Sequence, residues 1–109
     1  MGLHVQEMTR KYVKDSLTGV LASNGYIAQN YRGDLDTETL ENIDSLGVYE
    51  VAFDLGDELD MTFSDKDLKK MFGSFEMNAE TIMNGNRNNV RASDVIDYVS
   101  ENFVEQRNL

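Results

Sequence analysis

The chain has 109 residues, of which 40% are hydrophobic and 28% are charged, and we expect residues 1–109 to form one folded domain. Its net charge of −10 argues against nucleic acid as a partner, because phosphate binding needs clustered Lys and Arg. The sequence has no cysteine and a single histidine, His4, so we expect neither disulfides nor a metal site nor histidine catalysis.

Apolar residues at helical spacing predict a first amphipathic helix over residues 4 to 23. The pair Asn24-Gly25 predicts its end, since glycine readily takes the left-handed conformation that closes helices. Residues 26 to 43 follow as a long connection, in which Thr37 to Glu41 are predicted to form a short turn of helix. The residues expected to face the core are Val5, Met8, Tyr12, Val13, Leu17, Val20 and Leu21 in the helix, and Tyr26, Ile27, Tyr31 and Leu35 in the connection.

The second helix is predicted to begin at or beside Ser45 and to run to about Asp60, with one apolar and one acidic face. The apolar face comprises Tyr49, Ala52, Leu55 and Leu59, flanked by Leu46 and Val51, and the outer face comprises Glu50, Asp54, Asp57 and Glu58. Val48 and Phe53 are more apolar than the outer face requires. Each is interpreted either as a partner contact, if exposed, or as a core residue.

The second half of the chain predicts three more helices, and no strand is predicted anywhere. The Ser64-Asp65 pair predicts the start of a short third helix. An extra short helix is predicted near Phe75 to Met83. The last helix carries its apolar face on Ala92, Val95, Ile96, Val99 and Phe103. The predicted fold is all-α, a small helical bundle of four main helices with a long first loop, an acidic second helix, a short third helix and an extra short helix before the last one.

Acidic residues are concentrated around the second helix. Residues 34 to 67 contain twelve Asp and Glu but one basic residue, Lys66, and carry −11, compared with −10 for the whole chain. This stretch is either an ordinary solvated face or a surface that steers basic partners toward Ser45.

The tetrapeptide Ile43-Asp44-Ser45-Leu46 and the residues after it resemble the acyl carrier protein family. That family has Asp-Ser-Leu at the head of its second helix and a glutamate five residues after the serine, which corresponds to Glu50. Apolar residues then recur at intervals of four, an acidic residue opens the third helix, and the last helix is similar to ASDVIDYV, residues 92 to 99. The matching apolar residues are Val51, Leu55, Leu59 and Phe63, and the acidic residue is Asp65.

The resemblance implies a carrier that is not itself an enzyme. Ser45 corresponds to the serine that receives 4′-phosphopantetheine from coenzyme A, in a reaction of a separate phosphopantetheinyl transferase that brings Mg²⁺. The thiol of that arm carries acyl groups as thioesters between enzymes of fatty-acid, lipid or polyketide-type synthesis. The residues implied in binding the basic docking patches of these enzymes are Asp44, Leu46, Glu50, Phe53, Asp54 and Asp57. We expect a monomer. We also expect a cytoplasmic location, because no apolar run reaches the ~20 residues of a membrane span and the N-terminus lacks the apolar core of a secretory signal.

An alternative from another class is an unmodified acidic interaction or adaptor module with a carrier-like fold. Ser45 would then be only an N-cap, which contributes ~1 kcal/mol to helix stability. Two features depart from the family: Gly47 stands where an acidic or polar residue commonly follows Ser-Leu, and the chain is longer before the last helix. This extra segment, Phe72 to Val90, is interpreted either as part of a cargo site or as a surface insertion.

Overall fold

A computed structural model of the protein describes residues 2–72 and 87–107. Within these ranges the elements are, in chain order, α1 (Gly2–Ser23), a 3-10 helix (Leu35–Thr37), β1 (Thr39–Asp44), α2 (Ser45–Leu59), α3 (Asp65–Phe72), β2 (Arg87–Arg91) and α4 (Ala92–Arg107). The predicted small bundle of four main helices is confirmed. The extra short helix, predicted at Phe75 to Met83, lies outside the described residues.

The core lies between α1, α2 and α4, with α3 packed against α2 and α4. It contains the apolar faces of all four helices, and its most buried members include Val13, Leu17, Leu21, Val51, Leu55, Leu59, Met71, Phe72, Val95, Ile96 and Val99. Full burial of one such side chain stabilises the fold by about 1.5–3 kcal/mol. The predicted core faces of α2 and α4 are therefore largely confirmed.

The predicted core face of α1 is partly wrong. Met8 and Tyr12 are 61% and 48% exposed, whereas Thr9 is buried. The reason is helical spacing: Thr9 lies four residues before Val13 and shares its face, and Met8 is rotated away from it.

The Asn24-Gly25 pair ends α1 as predicted. Gly25 has a φ of +81°, and its N–H donates to the Ala22 carbonyl at 3.2 Å while the Tyr26 N–H donates to the Leu21 carbonyl at 2.9 Å. These two hydrogen bonds form a Schellman motif. The connection that follows is held by buried Leu35 and by half-buried residues packed on the core, Tyr26 and Ile27.

The prediction that the chain has no strand is wrong, because β1 and β2 form a two-stranded antiparallel sheet. Its register pairs Thr39 with Arg91, Leu40 with Val90, Ile43 with Asn88 and Asp44 with Arg87. An irregularity between Leu40 and Ile43 lets both residues reach the core, so the sequence lacks the alternation that marks a strand. The short helix predicted at Thr37 to Glu41 is also wrong, since the helical turn lies at Leu35–Thr37.

The predicted start of the third helix is confirmed. The Asp67 N–H donates to Ser64 Oγ at 3.2 Å, and the Ser64 N–H donates to Asp67 Oδ2 at 2.8 Å. Ser64 therefore caps α3 in a reciprocal capping box.

Candidate functional site

Ser45 lies at the junction between the sheet and the acidic helix. β1 ends at Asp44 and α2 begins at Ser45, so the predicted helix start is confirmed. The sheet register places Asp44 opposite Arg87. The positive end of the helix dipole lies at the first turn of α2, which favours an anion beside Ser45.

Buried contacts on both sides fix this junction. Leu40 and Ile43 of β1 are buried, and the Ala92 N–H at the start of α4 donates to the Glu38 carbonyl at 3.0 Å. Val48 in the first turns of α2 is also buried. Ser45 is therefore carried on a backbone that is anchored before and after it.

One side of α2 is an exposed row of residues that we call the α2 stripe: Leu46, Glu50, Phe53 and Asp57. Their spacing of four, three and four residues places them on one face of the helix. Leu46 is 58% exposed and Phe53 is 77% exposed, so two apolar and two acidic side chains alternate along the stripe. Four of the residues predicted to bind partners thus lie together, beginning one residue after Ser45.

Val48 and Phe53, for which two interpretations were open, have different locations. Val48 is fully buried and Phe53 is the most exposed of the large apolar residues in the described parts of the chain. Val48 lies seven residues before Leu55, which is two helical turns and therefore the same face. Phe53 lies on the opposite side, where it is available to a partner.

Asp54, also predicted to bind partners, has a partner within the chain. It is half-buried and accepts a hydrogen bond from Asn24 Nδ2 at 2.9 Å. This bond joins the end of α1 to the middle of α2. Gly47, where the family commonly has an acidic or polar residue, is buried and does not belong to the α2 stripe.

Two groups of carboxylates in the acidic stretch differ in whether a basic residue pairs with them. Asp36 and Asp34 are paired: Arg10 donates to Asp36, and Lys14 Nζ lies 3.0 Å from Asp36 Oδ2 and 3.2 Å from Asp34 Oδ1. The hydrogen bond from Arg10 holds the pKa of Asp36 well below its usual range. Arg10 Nε also donates to Asp97 of α4 at 2.8 Å.

The carboxylates of α2 are in the second group. Among the described residues, no Lys or Arg side chain forms an ion pair with Glu50, Asp57 or Glu58. Their negative charge is therefore available to attract basic partners.

A groove of about 420 Å³ runs between α2 and the connection to α3. We call it the aromatic groove, because its lining includes three aromatic residues, Tyr49, Phe53 and Phe63, together with three carboxylates, Asp57, Asp60 and Asp65. The Tyr49 hydroxyl donates to Asp65 Oδ1 at 3.2 Å across it. Tyr49 and Phe63, which the sequence assigned to the core, are half-buried and pack against it, but the groove that they line was not predicted.

The described residues contain no group of three or more His, Asp or Glu side chains placed to hold a metal ion. None of the helices described is both long enough and apolar enough to cross a membrane.

Compared with models of protein families, with curated proteins and with solved structures, the chain gives no significant match.

Proposed function

We propose that the protein is an acyl carrier protein whose Ser45 is modified by 4′-phosphopantetheine. The observation that carries this proposal is the position of Ser45 as the first residue of α2, directly before the exposed α2 stripe. The resemblance of the segments around Ser45, Asp65 and residues 92 to 99 to the carrier family supports it further.

The residues present fit a phosphate-linked arm. A primary hydroxyl is a weak nucleophile that a separate transferase can activate with its own base and Mg²⁺. The phosphate of the arm would lie near the positive end of the dipole of α2, a 15-residue helix. When bound, the arm supplies a thiol that carries acyl groups as thioesters.

The α2 stripe is the surface on which partner enzymes would dock. Glu50 and Asp57 attract a basic docking patch, while Leu46 and Phe53 supply apolar contact area that is desolvated on docking. Asp44, which directly precedes the serine in the chain, adds a further negative charge. The proposed partners are a phosphopantetheinyl transferase and acyl-transferring and synthase enzymes of fatty-acid, lipid or polyketide-type synthesis. The proposed setting is a cytoplasmic monomer.

A second candidate is an unmodified interaction or adaptor module. The exposure of Phe53, 77%, favours it, because an apolar residue on an acidic face serves docking whether or not Ser45 carries an arm.

The mass of the protein purified from its own cells separates the two functions. A carrier is expected to be heavier than its sequence by one phosphopantetheine, on the fragment that contains Ser45. A mass equal to that of the sequence, in cells that contain an active transferase, favours the adaptor.

A further inference from the structure

The aromatic groove combines two chemical features that together select a cation. Tyr49, Phe53 and Phe63 line it with aromatic rings, and Asp57, Asp60 and Asp65 line it with carboxylates. Among the described residues that line it, none is basic. An alkyl chain placed there would remove carboxylates from water without compensation, which is unfavourable. A planar cation gains from both the rings and the carboxylates.

The position of the groove on α2 adds to this preference. It lies along the last turns of the helix, where the negative end of the helix dipole favours positive charge. Asp60 ends the helix with a φ of 53°, and the Met61 N–H donates to the Gly56 carbonyl at 2.8 Å. One part of the groove is therefore formed by a hydrogen-bonded turn after α2.

The same end of α2 already binds a guanidinium of the chain itself, through backbone carbonyls and an aromatic ring. Arg107 Nη2 donates to the Leu59 carbonyl at 2.6 Å and to the Asp60 carbonyl at 3.2 Å. Its guanidinium carbon also lies 4.1 Å from the centre of the Phe103 ring. The end of α2 thus accepts an arginine that stacks on a phenyl ring, in a contact made within the protein itself.

We propose that the aromatic groove receives an arginine side chain of a basic partner protein, stacked on Phe53 or Phe63 and paired with the groove carboxylates. Arginine fits better than lysine, because its planar guanidinium stacks on rings and binds carboxylates in a forked geometry. The inference deepens the proposed function by naming what the partner inserts. It rests on that function only for the identity of the partner, and binding to the groove does not require a modified Ser45.

The test uses the unmodified full-length protein and two capped peptides, Gly-Ser-Arg-Ser-Gly and the same peptide with uncharged citrulline. Backbone amide shifts are followed as each peptide is added. The arginine peptide is expected to shift Gly56 and the residues from Met61 to Asp65, and the citrulline peptide is expected to bind much more weakly. Equal binding of the two peptides would overturn the inference, because the groove would then not recognise charge.

Variants of exposed Phe53 identify the ring without disturbing the core. Phe53→Leu is expected to weaken binding of the arginine peptide by about two- to fivefold, the size of one exposed cation–π contact. Phe53→Tyr, which keeps the ring, should bind like the parent. Met8→Ala, at an exposed apolar residue of α1 that does not line the groove, is the control and should also bind like the parent. Unchanged binding by Phe53→Leu together with Phe63→Leu would contradict the inference. So would amide shifts at Asp15 and Glu58, across α2, in place of shifts at the groove.

A soluble short-chain alcohol such as butanol tests the competing occupant. If it shifts the groove amides and displaces the arginine peptide, the groove is a site for alkyl chains and the inference is wrong. Failure of this inference leaves modification of Ser45 untouched, since the mass of the protein reports that independently.

Discussion

Tyr98 on α4 donates a hydrogen bond to Asp67 Oδ1 on α3 over 2.6 Å. Asp67 is also the residue that closes the capping box with Ser64. One carboxylate therefore caps α3 and joins it to the last helix. The hydrogen bond from Tyr98 is the main reason that the pKa of Asp67 is lowered.

Tyr98→Phe is predicted to lower the free energy of unfolding by about 1–2 kcal/mol, because it removes a half-buried hydrogen bond to a charged group. Chemical denaturation measures the change. Tyr12→Phe is the matched control: Tyr12 is 48% exposed and packs its ring edge-on against Phe103, a contact that the substitution keeps. Equal losses of unfolding free energy in the two variants would mean that the hydrogen bond from Tyr98 to Asp67 does not stabilise the fold.

Gly56→Ala is predicted to destabilise the protein by about 1–3 kcal/mol through overpacking. A Cβ at Gly56 would lie 2.7 Å from the Met61 carbonyl oxygen, a backbone atom that cannot move without opening the turn after α2. Gly19→Ala in α1 is the control, because a Cβ there meets nothing within 4 Å. It should stabilise by about 0.5–1 kcal/mol through helix propensity. Stabilisation by both substitutions would show that α2 is not in close contact with the connection.

The stability contributed by Asp36 is predicted to disappear in acid. Because Arg10 lowers the folded-state pKa of Asp36, the carboxylate stabilises the fold above its unfolded pKa of about 3.9, and that contribution is lost as the pH falls below it. Asp36→Asn should therefore be less stable than the parent at pH 7, and the difference should shrink toward pH 3. Urea unfolding at both pH values tests this.

The control for Asp36→Asn is Glu105→Gln, at an exposed residue of α4. Its free energy of unfolding should differ from that of the parent by less than about 0.5 kcal/mol. A difference between Asp36→Asn and the parent that is as large at pH 3 as at pH 7 would contradict the role of the Arg10 contact.

Charge reversal on the α2 stripe is predicted to slow the transfer of phosphopantetheine from coenzyme A. Glu50→Lys with Asp57→Lys should reduce the rate about tenfold at low salt, since complementary charge speeds encounter. The loss should shrink above 0.1 M salt, where the screening length is about 10 Å. Asp54 is a poorer probe because it also accepts the bond from Asn24.

Glu101→Lys with Glu105→Lys gives the same change of net charge on the exposed side of α4 and is the matched control for the stripe. If the two double variants slow transfer equally, net charge matters and the α2 stripe is an ordinary surface.

The helix boundaries were predictable because local chemistry determines them. Gly25 supplies the left-handed residue after α1, and Ser64 supplies the cap before α3. The sheet was not predictable, because its pairing joins residues 43 to 52 positions apart and the irregularity at Leu40 and Ile43 removes the alternation. Its second strand, Arg87–Arg91, is polar apart from Val90 and has the composition of a turn.

The candidate site was partly visible in the sequence. Helical spacing alone separates buried Val48 from exposed Phe53, so their different locations could have been derived from the distance to Leu55. The hydrogen bond from Asn24 to Asp54 and the aromatic groove could not have been derived from the sequence, because both depend on how the connections fold back on α2. The pairing of Asp36 with Arg10 likewise joins residues that are 26 positions apart in the chain.

The most direct measurement of the central claim is the mass of the protein after reaction with a broad-specificity phosphopantetheinyl transferase, coenzyme A and Mg²⁺. The parent protein is predicted to gain one phosphopantetheine, and Ser45→Ala, checked for retained helix content by circular dichroism, is predicted to gain none. Ser64→Ala, which changes another serine at a helix start, should be modified like the parent. No gain by the parent, or a gain that survives in Ser45→Ala, would contradict the assignment of Ser45 as the carrier serine.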